Sequence, residues 1–465
     1  MIDSTSAKNT RYPDARDTPT SGKPSRASLR RTGDGVMSGA VSMSMSMSHL
    51  ATSLPARVSA VLLAGAVLLA GCGRSTLPGD AARIDAKLVA NLDPHDARAV
   101  GQAVNAFGFD LFGEAADGKQ NTITSPLSVA VLLAMALAGT NGDTATEMAR
   151  TLHLDDRRDV RVGALLRTLA DTDQVTLSVA DSLWADRGKP LEEDYLTFVR
   201  RTFGATVEQA DLSSPDAADA IDAWAKKNTN GLIRGIAADL GLPDPDAVLV
   251  LLNAVYFLGE WKTKFDRADT RPQPFTLPDG GKVDVATMHL NDEAFGYTQR
   301  DGYRMLRLPY GKHGRYGMEV LLPDERNTLT NLLGSLDASQ WRAAVDSLTE
   351  QTIDELALPR FELRWKGELN GPLQRLGMSK AFTPGSADLR PMSPRATSLE
   401  KVVHKTYVRV DERGTEAAAV TGGAMVTSAR LDRTVFRVDR PFAFTISDQQ
   451  TGTILFLGAV TDPRS

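Results

Sequence analysis

Residues 246–265 read DAVLVLLNAVYFLGEWKTKF. The run is continuously apolar and rich in Val and Leu, without the polar alternation of a strand that has one wet face. It fits a central strand buried on both faces. Farther upstream, NTITSPLSVAVLLAMALAGT (121–140) carries a second such signal. Ile123 reads as the end of a short strand, Ser125-Pro126 as a helix start, and 127–138 as a nearly all-apolar helix stopped by Gly139. A helix that is apolar all round has to be covered on every side, so it belongs in the middle of a large core.

Working outward, 97–113 has Val100, Val104 and Leu111 at helical spacing, and 217–233 predicts a helix with Ile221 and Trp224 on one face. Residues 174–186 alternate as a strand. Further strands are predicted at 304–310, 317–322, 353–363, 402–411, 434–439, 442–447 and 453–459, and short helices at 327–335, 338–347 and 366–376. Helices dominate the first third and strands the rest. The expectation is an α+β fold over 96–465 with a large antiparallel or mixed sheet, smaller sheets and eight to nine helices.

The 465 residues carry a net charge of −5 with Lys and Arg scattered, which argues against a nucleic-acid partner. The six histidines lie far apart and the single cysteine allows no internal disulfide, so neither a metal site nor a cofactor is expected. No nucleophile elbow, zinc-protease motif, phosphate loop or dinucleotide fingerprint occurs, and no catalytic residue is assigned. His404, between apolar Val403 and Tyr407, reads as a satisfied core histidine rather than a general base.

The N-terminal end has a different composition. Residues 1–56 are polar and of low complexity, and are expected to stay disordered. Arg57 and the apolar residues 58–71 have the length of an export signal, too short for a comfortable membrane span. The ending Leu69-Ala70-Gly71-Cys72 resembles the bacterial lipoprotein signal, which implies lipidation of Cys72. Translation from Met43, Met45 or Met47 would give a signal of normal length. Residues 73–95 are then a tether, and the protein is expected outside the cytoplasm, lipid-anchored at the bacterial envelope or surface, or extracellular.

Together the segments of 97–465 resemble the serpin family. The carrying stretches are TSPLSVAVLLAMALAGTNGDTATEM, ADSLW, IDAWAKKNTNGLI, LLNAVYFLGEWKTKF, HKTYVRVDERGTEAAA and DRPFAFTISDQQTGTILFLGAVTDP, in family order and spacing. The resemblance implies a monomeric suicide inhibitor of a serine protease: an exposed reactive loop is cleaved, and its N-terminal part enters the main sheet as an extra strand. It also implies that Ser125, Pro126, Ser128, Asn253 and His404 form the shutter through which that strand passes. Trp261 would stand where insertion begins.

The loop is DERGTEAAAVTGGAMVTSARLDR (411–433), which composition alone would read as a linker. The resemblance makes Glu412, Gly414, Thr415, Glu416, Ala417, Ala418 and Ala419 its hinge. Side chains alternate in a strand, so Thr415, Ala417, Ala419, Thr421 and Gly423 share one small, uncharged face, and Glu416 falls on the other. A bulky or charged residue at Thr415 is expected to stall insertion. The resemblance implies seventeen residues from the hinge Glu to the residue before the attacked bond; carried over to Glu412, that spacing implies Ser428–Ala429 and an elastase-like or subtilisin-like target. The alternative, Arg430–Leu431, would suit a trypsin-like enzyme. A serpin-fold lipoprotein that binds without inhibiting is the second reading. Arg433, Asp439 and Arg440 are read as solvated charges.

Overall fold

The computed structural model describes residues 93–170, 175–415 and 433–464. Its helix 126–138 is the one foreseen: Ser125 is the N-cap, its Oγ accepting from the Ser128 N–H at 3.3 Å, and all thirteen residues are buried. The helix stops at Gly139, where a Cβ would lie 2.6 Å from Met392 and 3.0 Å from the Tyr195 ring. Strand 249–260 passes over the helix. Leu249, Leu251, Val255 and Phe257 face the main core, while Val250 and Leu252 pack with Ile221 and Ala225 of helix Pro215–Asn228. The strand is therefore covered on both sides, as its composition requires.

It is shorter than its apolar run, because the chain beyond Glu260 finds other partners. The Trp261 N–H donates to Arg413 O (2.7 Å), Lys262 N–H to Pro309 O (2.8 Å) and Phe265 N–H to Glu412 O (3.0 Å). On its other edge, strand 249–260 pairs antiparallel with Val175–Asp186, which pairs in parallel with Thr206–Ala210. Strand 403–410 pairs with Phe361–Glu368 in a separate two-stranded sheet. No ladder joins 249–260 to 403–410 among the described residues. Behind them stand a seven-stranded antiparallel sheet, which includes Tyr303–Tyr310, Tyr316–Pro323, Phe442–Asp448 and Ile454–Val460, and a second four-stranded sheet.

The architecture is α+β with a large antiparallel sheet, and ten α-helices among the described residues where eight or nine were expected. The run 353–363 falls on three strands, the end of Thr349–Ile353, then Glu355–Pro359 and Phe361–Glu368, the last two broken at Arg360, whose N–H donates to Ala286 O. Residues 366–368, read as helix, lie in the ladder opposite 403–405, and the helix begins only at Asn370. Strands Thr206–Ala210, Arg271–Thr276, Lys282–Leu290 and Glu293–Arg300 were not anticipated. The second of these holds Pro272 and Pro274, which an edge strand tolerates. The first helix starts at Pro94 with Asp93 as N-cap, so the proposed tether ends two residues too late.

Candidate functional site

Strand 403–410 leaves its sheet through a tight turn. The Asp411 N–H donates to Gly414 O at 3.0 Å and the Gly414 N–H to Asp411 O at 3.2 Å. The chain then runs back antiparallel, with Gly414 opposite Glu260 and Thr415 opposite Gly259. Gly414 has φ +142°, and a Cβ there would lie 1.9 Å from the Gly259 carbonyl oxygen, so no other residue fits this approach.

Around the turn the packing is dense. The Trp261 ring stacks on Tyr310 with centroids 4.3 Å apart, and its Nε1–H donates to Asp411 O at 2.9 Å. The Tyr310 hydroxyl lies 2.9 Å from Thr415 Oγ1, so the first inward side chain of the returning segment is already hydrogen-bonded in the core. Burial raises the Tyr310 hydroxyl well above its ordinary value, with the Thr415 bond working the other way. Glu412 is 2% exposed; its Oε1 accepts from Thr270 Oγ1 at 2.8 Å, with the Arg360 Nη1 3.6 Å away and Arg267 Nε 3.8 Å from the other oxygen. This carboxylate pins the outer side of the turn.

Lower down, a polar chain crosses between the two separate sheets. The Ser125 N–H donates to His404 Nε2 at 2.9 Å. Ser128 Oγ donates to Asn253 Oδ1, and Asn253 Nδ2 donates to Asp181 Oδ1 at 2.6 Å. His404, Ser125, Ser128, Asn253 and Asp181 thus link strands 403–410, 249–260 and 175–186 through the start of helix 126–138. Pro126 shapes that start: a Cβ on Gly108 would lie 2.5 Å from its ring. Burial lowers His404 to about 3, so its neutral ring accepts at Nε2. That lone pair is committed to a backbone N–H, which leaves His404 no capacity to act as a general base through it. Burial pushes Asp181 up to about 7, against the lowering effect of the Asn253 bond.

The structure joins Ser125, Ser128, Asn253 and His404 as one network and gathers Glu412, Gly414, Thr415 and Trp261 at the turn. Glu416, Ala417, Ala418, Ala419, Ser428, Ala429, Arg430, Leu431 and Cys72 lie outside the described residues. Arg440 is not a solvated charge: its guanidinium donates twice to Pro323 O, at 2.8 and 3.0 Å, and to Asp439. Asp181, Tyr310 and Thr270 were missed. Asp181 carried a signal, a carboxylate in phase with the inward Val175, Leu177 and Leu183 of its strand. Asp239, which pairs with both Lys366 and Lys405, opposed residues of the two-stranded sheet, carried none. Among the described residues no cluster of His, Cys, Asp and Glu is placed to hold a metal.

Comparison with known proteins agrees with this arrangement. Residues 102–463 match the model of the family described as serpin (serine protease inhibitor). An uncharacterised serpin-like protein of Thermococcus kodakarensis is 35% identical over 373 residues, 78% of this chain and 85% of its own. The human leukocyte elastase inhibitor is 33% identical over 376 residues, 77% of this chain and 97% of its own. The native crystal structure of the thermophilic serpin tengpin superposes with a TM-score of 0.71 at 27% identity, covering 80% of this chain and 95% of that one. The chain belongs to the serpin family.

Proposed function

We propose that this chain is a suicide inhibitor of a serine protease outside the cytoplasm. The observation that carries the reading is the turn at 411–415, where the chain has already doubled back and begun an antiparallel pair with strand 249–260. The edges of 249–260 and 403–410 that face each other share no ladder, so the peptide groups there can accept a further strand. Each new backbone hydrogen bond in such a strand stabilises by about 1 kcal/mol, with side-chain burial in addition.

In the inhibitory reaction the protease serine attacks the carbonyl carbon of Ser428. Its Oγ–C bond forms, the peptide C–N bond breaks, and the new amine of Ala429 leaves. The segment N-terminal to the bond then continues the strand started at Gly414, carrying the acyl-enzyme with it. About fourteen residues at ~3.3 Å each move the protease roughly 45 Å. Small residues before the bond suit an elastase-like or subtilisin-like pocket; a cut at Arg430–Leu431 instead would mark a trypsin-like target. The chain acts as a monomer, exported and held at the envelope by lipid on Cys72.

Incubation with elastase, subtilisin and trypsin, followed by denaturing gels and mass spectrometry, tests the reading. An SDS-stable complex and a released peptide beginning at Ala429 are expected. Cleavage without complex, and without thermal stabilisation of the cut protein, would leave the non-inhibitory binding role. Metabolic labelling with palmitate, abolished by Cys72→Ala, checks the anchor.

A further inference from the structure

A groove of about 450 Å³ opens beside strands 361–368 and 403–410. Arg360, Arg364, Arg409 and Arg464 line it, and Glu362 is the one carboxylate in its lining among the described residues. The strands set this arrangement. Phe361, Leu363, Val408 and Val410 are buried, so Glu362 and Arg364 turn outward on one strand, and Arg409 stands opposite Glu362 on the other. Arg360 comes one position before the ladder, and Arg464 follows strand 454–460. Phe361, Val410 and Pro463 supply the apolar part of the lining.

The guanidinium groups are held in place and keep donors to spare. Arg364 spends Nε and Nη2 on Glu362 Oε1, at 3.2 and 2.8 Å, and its Cζ lies 4.6 Å from the centre of the Tyr407 ring. Arg464 spends the same two groups on Asp462, at 3.0 and 2.7 Å. Nη1 of each has no partner among the described residues. Arg360 is more open still: its ion-pair partner, Glu412 Oε1, is 3.6 Å away, beyond hydrogen-bond range. The carboxylates behind Arg360 and Arg409 cannot reach a ligand, because the Glu412 and Asp411 side chains are only 2% and 3% exposed. A solute in the groove therefore meets cationic edges over an apolar lining, an arrangement that focuses the field on an anion. Planar guanidinium forks match the oxygens of a phosphate two at a time.

We propose that this groove binds a soluble anion carrying two or more phosphate groups, held by Arg360, Arg364 and Arg464. A single phosphate engages one or two guanidinium forks; arginines drawn from three separate segments suit a short chain of phosphates. No residue of the groove belongs to the reactive loop, so the site stands whether or not the chain inhibits a protease.

Calorimetric titration of the full chain with sodium tripolyphosphate at low salt tests the site, with inorganic phosphate titrated in parallel. The variants are Arg364→Gln, the double variant Arg364→Gln with Arg464→Gln, and a control, Arg200→Gln with Arg201→Gln, on helix Glu193–Phe203 and outside the groove. Neither Arg364 nor Arg464 pairs with a buried carboxylate, so the variants should melt with wild type in the absence of ligand. The expected result is saturable binding of tripolyphosphate at one site and weaker binding of phosphate. Affinity should fall about tenfold with each guanidinium removed and stay at the wild-type value in the control. No binding by wild type, groove variants that bind as tightly as wild type, a control that loses as much as they do, or phosphate binding as tightly as tripolyphosphate would each overturn the proposal.

Discussion

Asp181 and His404 sit at opposite ends of one hydrogen-bonded chain, and burial moves them in opposite directions. Asp181 rises from 3.8 to about 7. Between those values the folded protein holds a proton that the unfolded chain has released, so stability falls as pH rises across that window. His404 drops from 6.5 to about 3. There the unfolded chain holds the extra proton, so this contribution is complete above pH 6.5 and is lost as pH falls towards 3. Each slope is about 1.4 kcal/mol per pH unit, with opposite sign. From about pH 4 to 6.5 the two contributions nearly cancel, so the pair together adds little net pH dependence. Asp181→Asn keeps an oxygen to accept from Asn253 Nδ2 and removes one slope. Urea unfolding of the uncut protein should show the variant's advantage over wild type growing by about 2–3 kcal/mol between roughly pH 5 and pH 7. Subtracting the two proteins cancels every other titrating group. An advantage that is the same at both pH values would mean that Asp181 stays ionised in the fold, and the argument from burial would fail.

Gly414→Ala places a methyl group against the Gly259 carbonyl, so the pair at 259–260 cannot form. The expected outcome is an altered Trp261 fluorescence and cleavage without complex on a denaturing gel; an unchanged yield of complex would contradict the turn's role. Thr415→Arg forces an unpaired charge beside the buried Tyr310 hydroxyl, a cost of several kcal/mol that should shift the products from complex to cleaved chain. Quantitative complex from this variant would mean that the segment enters in another phase.

Much of the architecture was legible because it is local. A continuous Val- and Leu-rich run becomes a strand covered on both faces, and Ser-Pro before an apolar stretch starts a buried helix, without reference to distant residues. The inward phase of the loop followed from the two-residue repeat of a strand, and Thr415 obeys it. The polar Ser125, Ser128, Asn253 and His404 could be named by resemblance, yet nothing in their spacing says that one hydrogen-bonded chain joins them. Residues 366–368 failed for the complementary reason: a ladder with 403–405 overrode their helical reading.

By itself, then, the sequence determined that 249–260 and 126–138 are core, that the buried helix begins at Ser125-Pro126, and that one small-residue stretch alternates as a strand would. Only the tertiary structure decided that strands 249–260 and 403–410 stand side by side without a ladder. It also decided that the chain turns back at Asp411–Gly414, where the Trp261 Nε1–H holds the Asp411 carbonyl. These are contacts across more than a hundred residues of chain. Side-chain burial and backbone pairing there depend on how distant elements pack, whereas periodicity reports only on neighbours.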